Sequence, residues 1–288
     1  MQGCILFFSD IHADAGALDL LLKTSVDQAF VERFGMVGKI VNLGDTVERG
    51  YNPCEVIDRL RSLDNLVSVL GNHDEAFICQ TPVSGSNEKS EVAHRECRRK
   101  EIWRDFFETT HLYWTDDDER IYAVHGGPID PGSITPKDAD GLTAWLHSMT
   151  WQRISRGNER YFDWSGYHYR PEDAFAQVRK ILKPGFVIVC GHEHSEAVYM
   201  EESPGTVAEI LHTTAKASFQ VKGRRIEEKS LILEENKNYL VRLGIAGPAG
   251  YYESYGWDRC YFGVYHEKDG RRMISTLSFQ IGRDASPP

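Results

Sequence analysis

The stretch Cys4-Ile5-Leu6-Phe7-Phe8-Ser9-Asp10-Ile11-His12 runs from five apolar residues directly into an aspartate and a histidine. A short apolar run closed by polar residues is typical of a buried strand in an α/β sheet. Five such runs are predicted as strands: residues 4–8, 39–43, 66–70, 121–124 and 186–190. The segments between them have helical character. The alternation predicts an α/β fold with a mostly parallel or mixed sheet that is covered on both faces.

Three segments repeat apolar residues at a spacing near 3.6 and are predicted as helices. They span residues 14–34, 53–63 and 88–108. In the first, the face predicted to turn inward includes Val26. Asn52 is a candidate cap for the second, which Pro53 opens. The acidic run at residues 116–119 is interpreted as the tip of a hairpin.

The rest of the chain departs from this alternation. Residues 128–184 form a connection far longer than usual between two strands, which favours an inserted lid or binding segment. Residues 197–288 are predicted to be β-rich, with a charged connection at residues 222–237 and a frayed tail at Ser286-Pro287-Pro288. No repeat and no linker divides the sequence, so residues 1–288 are predicted to form a single domain.

A polar cluster follows each predicted strand. The clusters are Asp10-Ile11-His12, Gly44-Asp45, Gly71-Asn72-His73-Asp74, His125-Gly126-Gly127 and Gly191-His192-Glu193-His194. Ligands of open α/β sheets bind at the carboxyl ends of the strands. Carboxylates, imidazoles and an amide oxygen suit manganese, iron or zinc, and a shared carboxylate would give a two-metal centre. One such cluster alone more often indicates a hydrogen-bonded loop residue, but five in succession are hard to assign to chance.

The order of these five clusters resembles that of the calcineurin-like metallophosphoesterases over roughly residues 3–200. The resemblance implies a β-sandwich of mixed sheets flanked by helices, and two divalent metal ions, with manganese expected and iron, zinc or nickel as alternatives. It also implies a ligand role for seven residues, with a metal-bound hydroxide attacking phosphorus. Asp10, His12 and His194 would hold one ion, Asn72, His125 and His192 the other, and Asp45 would bridge them. His73 would be the general acid at the leaving group.

The stretch Gly44-Asp45-Thr46-Val47-Glu48-Arg49-Gly50 is similar to one in the phosphoprotein phosphatases, including the bacterial and phage enzymes, and in the dinucleoside tetraphosphatases. The similarity implies that Arg49 clamps phosphate oxygens and that Glu48 orients His73, although those phosphatases have aspartate where Glu48 stands. Ordinary solvated roles for both residues are the alternative. Thr150-Trp151-Gln152-Arg153 resembles a further motif of that branch and implies a second clamp in Arg153.

The substrate is left open by these signals. The leading hypothesis is a serine/threonine-type protein phosphatase or a dinucleoside polyphosphate hydrolase. His194 is more typical of phosphodiesterases, and the residues from Leu243 to Pro248 resemble the closing strands of small bacterial phosphodiesterases, so a phosphodiesterase on cyclic or small nucleotide esters is the alternative. Two further hypotheses are a non-catalytic scaffold that binds metal or nucleotide, and, separately, a nuclease. The aromatic residues of the insertion could stack a nucleobase, but packing within the insertion is their commoner use.

Charge and cysteine content limit the partners. The 288 residues carry 33 basic and 43 acidic side chains, a net charge of -10, which disfavours long nucleic acids but not one phosphate in one pocket. The sequence lacks a basic leader and a membrane-length apolar run, so a cytoplasmic protein without a membrane partner is expected. Its six cysteines form no Cys-x-x-Cys pair and are expected to be reduced. A phosphorylated protein or a nucleotide is the expected partner.

Overall fold

Two large β-sheets lie face to face at the centre of the protein, which is described by a computed structural model over residues 3–83, 85–157 and 159–282. The predicted frayed tail at residues 286–288 lies outside these ranges. The strands are β1 Cys4–Phe8, β2 Val37–Asn42, β3 Leu66–Ser68, β4 Tyr113–Asp116, β5 Ile121–Val124, β6 Arg153–Ile154, β7 Tyr161–Asp163, β8 Gly166–Tyr169, β9 Val187–Cys190, β10 Ala197–Ser203, β11 Thr206–Glu209, β12 Ala215–Val221, β13 Arg224–Ile232, β14 Asn238–Arg242, β15 Arg259–Lys268 and β16 Arg271–Gln280.

Helices connect the strands on both sides of the paired sheets. They are α1 Ala15–Ser25, α2 Gln28–Phe34, α3 Pro53–Arg61, α4 Asn72–Cys79, α5 Glu88–Arg99, α6 Ile102–Glu108, α7 Pro131–Ile134, α8 Gly141–Leu146, α9 Pro171–Val178 and α10 Ala249–Tyr255, with a 3-10 turn at Leu211–Thr213. No helix within the described residues is long and apolar enough to cross a membrane.

Both large sheets are mixed. The first has the strand order β12-β13-β16-β15-β1-β2-β3, and the second has the order β11-β10-β14-β9-β5-β4. In the first sheet, β1, β2 and β3 run parallel, whereas β15 pairs antiparallel with β1. In the second, β9 lies parallel to both β5 and β14. The parallel strands bring the carboxyl ends of β1, β2, β5 and β9 to a common edge, where the polar clusters begin.

Apolar side chains fill three layers. Phe7 and Val41 of the first sheet share a buried cluster with Val189 and Val241 of the second, so the two sheets form a sandwich. Leu18, Ile57 and Phe106 belong to the cluster that covers the outer face of the first sheet with helices. Phe175 of α9 belongs to the third cluster, on the outer face of the second sheet. The predicted sandwich of mixed sheets flanked by helices is therefore confirmed.

Two predicted helices are each divided in two. The segment predicted at residues 14–34 ends its first helix at Ser25, because the Asp27 carboxylate accepts a hydrogen bond from the Ala29 N–H at 3.0 Å and caps a new helix. Val26, predicted to face inward, is 73% exposed at this break. The segment predicted at residues 88–108 breaks at Glu101, which has a left-handed φ of 56°. The helix predicted at residues 53–63 forms as α3 behind Asn52, but without a side-chain cap there.

Three further features differ from the sequence-based expectations or refine them. The charged segment at residues 222–237 is mostly strand β13, in which Ile226 and Glu228 are buried and Glu227 between them is exposed. Cys54 and Cys97 form a disulfide between α3 and α5, so the expectation of six reduced cysteines is wrong for this pair. Residues 128–184 contain α7, α8, α9 and a small sheet of order β6-β8-β7, and α9 packs onto the second sheet. A lid function for this insertion stays a prediction.

Candidate metal centre

The polar residues at the strand ends are held in turns of unusual backbone conformation. Asp10, His12, Asp45, His192 and His194 all have left-handed φ angles, between 45° and 70°. Such angles cost non-glycine residues free energy and persist only where the surrounding structure enforces them. Here backbone hydrogen bonds of 2.9 Å join the turns, from Asp10 N–H to the Gly44 carbonyl and from His12 N–H to the Asp45 carbonyl.

Two groups of side chains meet at these turns, and we call them together the ligand cradle. The first group consists of Asp10, His12, Asp45 and His194; the second consists of Asp45, His125 and His192. Within each group the candidate ligand atoms lie within 4.8 Å of one another. Asn72 joins the second group, since its Oδ1 atom is 3.0 Å from His125 Nε2. All seven residues predicted as metal ligands therefore come together, with Asp45 common to both groups.

The donor atoms of the cradle fit divalent cations. The His125 Nδ1 atom is 2.8 Å from the Leu43 carbonyl oxygen, which fixes the tautomer that leaves Nε2 free for a metal. The Nε2 atoms of His12 and His194 face each other at 3.2 Å, an arrangement that a cation between them would stabilise. Asp45 Oδ2 and His192 Nε2 are buried without a hydrogen-bond partner in the described structure. Buried polar atoms are rarely left unpaired, so these atoms are suited to binding cations.

Electrostatics keep the cradle in a state suited to metal binding. Burial raises the pKa of Asp10, but the charge and hydrogen bond of His194 outweigh it and hold that pKa at about 2. The pKa of Asp45 is also lowered, because His125 and His73 outweigh its burial. Burial lowers the pKa of His192 well below its ordinary value. Burial lowers the pKa of His125, but the nearby Asp45 and Asp10 outweigh it and raise that pKa to about 9. The cradle thus offers ionised carboxylates and a neutral His192, whereas a cation bound at His125 would displace a proton.

His73 lies at the edge of the cradle, at the start of α4. Its backbone N–H donates to Asp45 Oδ1 at 2.9 Å, and its ring packs edge-on against His12 at 5.0 Å. Arg49 donates from Nε to His73 Nε2 at 3.4 Å, and burial lowers the pKa of His73 to about 3. His73 Nδ1 finds no hydrogen-bond partner among the residues described. The imidazole is therefore neutral and next to the guanidinium predicted to bind phosphate.

Glu48 has partners other than the predicted one. Its carboxylate accepts from the Ser86 hydroxyl at 3.3 Å and lies 3.6 Å from the Arg98 guanidinium. No hydrogen bond or ion pair joins this carboxylate to His73 within the described residues. The Glu48 N–H donates to His94 Nε2 at 2.7 Å. A role for Glu48 in orienting His73 stays a prediction, and this geometry gives it no support.

Asp74 is an acid whose structural role the sequence did not reveal. Its carboxylate accepts hydrogen bonds from the backbone N–H groups of Thr46 at 2.8 Å, Val47 at 3.2 Å and Gly71 at 3.0 Å. Burial and the nearby Asp45 raise its pKa to about 8. Asp74 thus joins the turn after β2 to the turn before α4, and so holds two parts of the cradle in register.

The two predicted phosphate clamps approach the cradle from different segments. Arg49 follows Glu48 in a left-handed turn and places its guanidinium carbon 4.7 Å from the centre of the Tyr251 ring. Arg153 begins β6, in the insertion, and its Nε donates to the Ser165 carbonyl at 2.8 Å. Burial lowers the pKa of Arg153, and the charges of Asp45 and Asp10 oppose that shift. Both arginines thus lie within electrostatic reach of the cradle.

Tyr251 and His94 are neighbours of the site that sequence reasoning missed. The Tyr251 hydroxyl oxygen lies 3.5 Å from His194 Nε2, and the two rings are 4.9 Å apart. His94 Nδ1 lies 2.7 Å from the Ser90 carbonyl oxygen, so this nitrogen carries the proton and Nε2 accepts from Glu48. Neither residue belongs to a motif, and neither lies near a strand end in sequence. Only the folded chain brings them to the site.

Comparisons with known proteins agree with this geometry. The family described as calcineurin-like phosphoesterase matches residues 5–196. An uncharacterized protein of Methanocaldococcus jannaschii is 23% identical over 284 residues, which cover 98% of this chain and 90% of that protein. A crystal structure of a metallophosphoesterase from Sphaerobacter thermophilus aligns with a TM-score of 0.56 at 21% identity, over 94% of this chain and 87% of that one.

A hypothetical protein from Pyrococcus horikoshii OT3 shares the fold at greater sequence distance. It aligns with a TM-score of 0.52 at 11% identity and covers 98% of this chain and 89% of its own. The family match spans the five polar clusters and both ligand groups of the cradle, and the similar structures extend over the C-terminal strands as well. This chain belongs to the calcineurin-like phosphoesterase family, and it is a metallophosphoesterase.

Proposed function

We propose that this chain hydrolyses a small phosphate ester at a dinuclear metal centre in the ligand cradle. The observation that carries the proposal is that Asp45 belongs to both ligand groups, while Arg49 and His73 lie beside it. Two divalent ions, which we propose to be manganese with iron, zinc or nickel as alternatives, would polarise the phosphoryl oxygens and lower the pKa of a coordinated water.

The side chains beside the cradle would then act on the substrate directly. Arg49 presents a planar fork of donors, which matches two phosphate oxygens and supports the proposed role as a clamp. Arg153 is the proposed second clamp. His73 is neutral in the free protein, but an anionic phosphate next to it would raise its pKa. A protonated His73 can donate to the leaving-group oxygen, which is the proposed role as general acid.

Two finer substrate assignments follow from different residues. The stretch from Gly44 to Gly50, with Arg49 at the cradle, supports a serine/threonine-type protein phosphatase or a dinucleoside polyphosphate hydrolase. His194 within the first ligand group supports a phosphodiesterase on cyclic or small nucleotide esters, as does the separation of Glu48 from His73. A nucleotide substrate fits the dinucleoside polyphosphate hydrolase and the phosphodiesterase, although not the protein phosphatase. We therefore propose a nucleotide substrate and a cytoplasmic setting.

The test compares two chromogenic esters on the purified protein with added Mn2+. A monoesterase should cleave p-nitrophenyl phosphate far faster than bis(p-nitrophenyl) phosphate, and a diesterase should show the reverse preference. Asp45→Asn should abolish hydrolysis of both esters, which would eliminate a non-catalytic scaffold. Hydrolysis that is independent of metal, or that survives Asp45→Asn, would contradict the proposal.

A further inference from the structure

Three aromatic side chains from α10 and the turn after it form a stack beside the cradle. Trp257 lies nearly parallel to Tyr251, with ring centres 5.0 Å apart and an interplanar angle of 20°. Tyr255 packs against Trp257 at 5.6 Å and 36°. We call these three residues the aromatic platform. The exposed fraction of the side chain rises across the platform: Tyr251 is 4% exposed, Trp257 is 39% exposed and Tyr255 is 67% exposed.

The inner side of the platform contacts the catalytic machinery. Tyr251 lies under the Arg49 guanidinium at 4.7 Å, a cation–π distance that helps hold the proposed phosphate clamp. Trp257 meets the ring of His194 edge-on at 6.0 Å. A candidate metal ligand is therefore in direct ring contact with a partly exposed indole. Arg49 and Trp257 both contact the Tyr251 ring, at 4.7 Å and 5.0 Å, so we expect an ester whose phosphate is held by Arg49 to reach the platform.

The platform is attached to the cradle by its backbone. The Gly247 N–H donates to the Asp10 carbonyl at 3.0 Å, and the Ala249 N–H donates to Asp14 Oδ2 at 3.0 Å. Gly250 sits so close to Arg49 that a Cβ atom there would lie 2.7 Å from the Arg49 carbonyl oxygen. These contacts fix the start of α10 relative to the turns of Asp10 and Arg49. The rings thus keep a set distance from the metal site.

We propose that Trp257 and Tyr255, supported by Tyr251, bind the planar base of a nucleotide ester whose phosphate is held at the cradle. The inference rests on the function proposed above and names the part of the substrate that the platform recognises. Flat, partly exposed rings can stack a base, since every base offers a π-face. Two exposed rings provide far less area than the roughly 1,000 Å² that a stable protein interface requires, which disfavours a second copy of this chain.

Competitive inhibition by two ligands that differ only in the base tests the platform. Adenosine 5′-monophosphate and ribose 5-phosphate share the phosphate and the sugar, so their ratio of inhibition constants isolates the base. The wild-type protein with Mn2+ should bind the nucleotide about tenfold more tightly. Trp257→Ala together with Tyr255→Ala should bring that ratio close to one while leaving inhibition by ribose 5-phosphate unchanged. Trp257→Phe keeps a ring and should retain most of the preference.

Trp164 supplies a matched control. It is 85% exposed on the turn between β7 and β8, and no ring contact involves it in the described part of the chain. Trp164→Ala should leave both inhibition constants unchanged. Equal binding of the two ligands by the wild-type protein would overturn the proposal. So would a loss of affinity for both ligands in the platform variants, or a wild-type dimer that Trp257→Ala and Trp257→Phe both convert to a monomer.

Calorimetric measurement of the binding of each ligand in the presence of Mn2+ requires no turnover. It therefore separates failure of the platform from failure of the proposed function. A protein that hydrolyses no ester but still prefers the nucleotide over ribose 5-phosphate would refute the proposed function and support the platform. A protein that hydrolyses esters without any preference for a base would support the proposed function and refute the platform.

Discussion

The ligand cradle and the aromatic platform lie next to each other but differ in almost every physical property. The cradle is buried and charged, and its turns adopt left-handed backbone angles with several donor atoms left unpaired. The platform is partly exposed and uncharged, and hydrogen bonds from Gly247 and Ala249 anchor it. Carboxylate and imidazole atoms without hydrogen-bond partners are suited to binding cations, whereas exposed ring faces are suited to stacking against an uncharged group.

This difference leads us to expect two kinds of mutational effect. Changes in the cradle should lower turnover for every ester, since all substrates share the reacting phosphate. Changes in the platform should alter the affinity for esters that carry a base and leave kcat nearly constant, because uniform binding contributes to KM alone. Arg49 lies between the two regions, in contact with both His73 and Tyr251.

The largest effect is expected for Asp45→Asn, which removes the carboxylate common to both ligand groups. We expect kcat/KM to fall by at least about 1,000-fold, equivalent to roughly 4 kcal/mol, together with loss of bound metal. Metal content by mass spectrometry and hydrolysis of p-nitrophenyl phosphate are the measurements. Asp105→Asn, at a 73% exposed carboxylate on α6, is the matched control and should change neither. Full metal content in Asp45→Asn would contradict the bridging role.

His73→Ala should have a smaller effect of a different kind. We expect kcat to fall by roughly 100-fold while metal content stays near the wild-type value, because His73 is proposed to transfer a proton rather than to bind metal. His212→Ala, at a 74% exposed imidazole, is the control for loss of a histidine. If His73→Ala empties the metal site, the imidazole is a ligand and our assignment of its role is wrong.

Asp45 and His73, which these two predictions concern, could be identified from the sequence alone because of where the candidate site residues stand relative to the strands. Each candidate ligand follows a strand directly or lies within four residues of its end, as Asp10 follows β1 and His125 follows β5. Parallel strands of one sheet end at the same edge, which groups the ligands after β1, β2 and β3 and, separately, those after β5 and β9. The packing of the two sheets face to face then brings the two sets together. The apolar runs alone predict a sheet that is covered on both faces, whereas the sandwich of two sheets was implied by the family resemblance. The ligands and most of the buried strands could therefore be predicted from local sequence, but the pairing of the two sheets could not.

The features that could not be predicted depend on contacts between distant segments. The Glu48 backbone is left-handed, with a φ of 68°, and its N–H donates to His94 on α5. Its carboxylate contacts Ser86 and Arg98, which are distant in sequence. The cysteines of the disulfide are 43 residues apart. Tyr251 reaches Arg49 from the opposite end of the chain. Periodicity and motif spacing carry no information about such pairs, and a weak local signal such as the Asp27 cap is easily overlooked within a longer apolar pattern.

Arg49→Ala tests the junction of the two regions and should have an intermediate effect. Loss of the guanidinium should weaken inhibition by inorganic phosphate about tenfold, because a charge-assisted pair of hydrogen bonds is lost. Arg153→Ala should act in the same direction. Tyr251→Leu removes the ring beneath Arg49 together with the hydroxyl beside His194, and should weaken inhibition by a smaller factor of about two to three. Arg61→Ala is the surface control, and unchanged inhibition in Arg49→Ala would count against the clamp.

Substitution of His94, which lies behind both regions, is expected to have the smallest effect on activity. Its imidazole accepts a hydrogen bond from the Glu48 N–H and so supports the turn that carries Arg49. Burial lowers the pKa of His94 to about 4, below its ordinary value of 6.5. The unfolded chain therefore binds a proton more readily, and the stability contributed by neutral His94 is lost as pH falls from about 6.5 to about 4.

Replacing His94 by glutamine keeps an acceptor for the Glu48 N–H without titrating. We expect the free energy of unfolding of the wild type, measured in urea without metal, to fall between pH 7 and pH 5 by roughly 2 kcal/mol more than that of His94→Gln. His212→Gln should behave as the wild type, and parallel curves for wild type and His94→Gln would show that His94 is not held neutral by the fold.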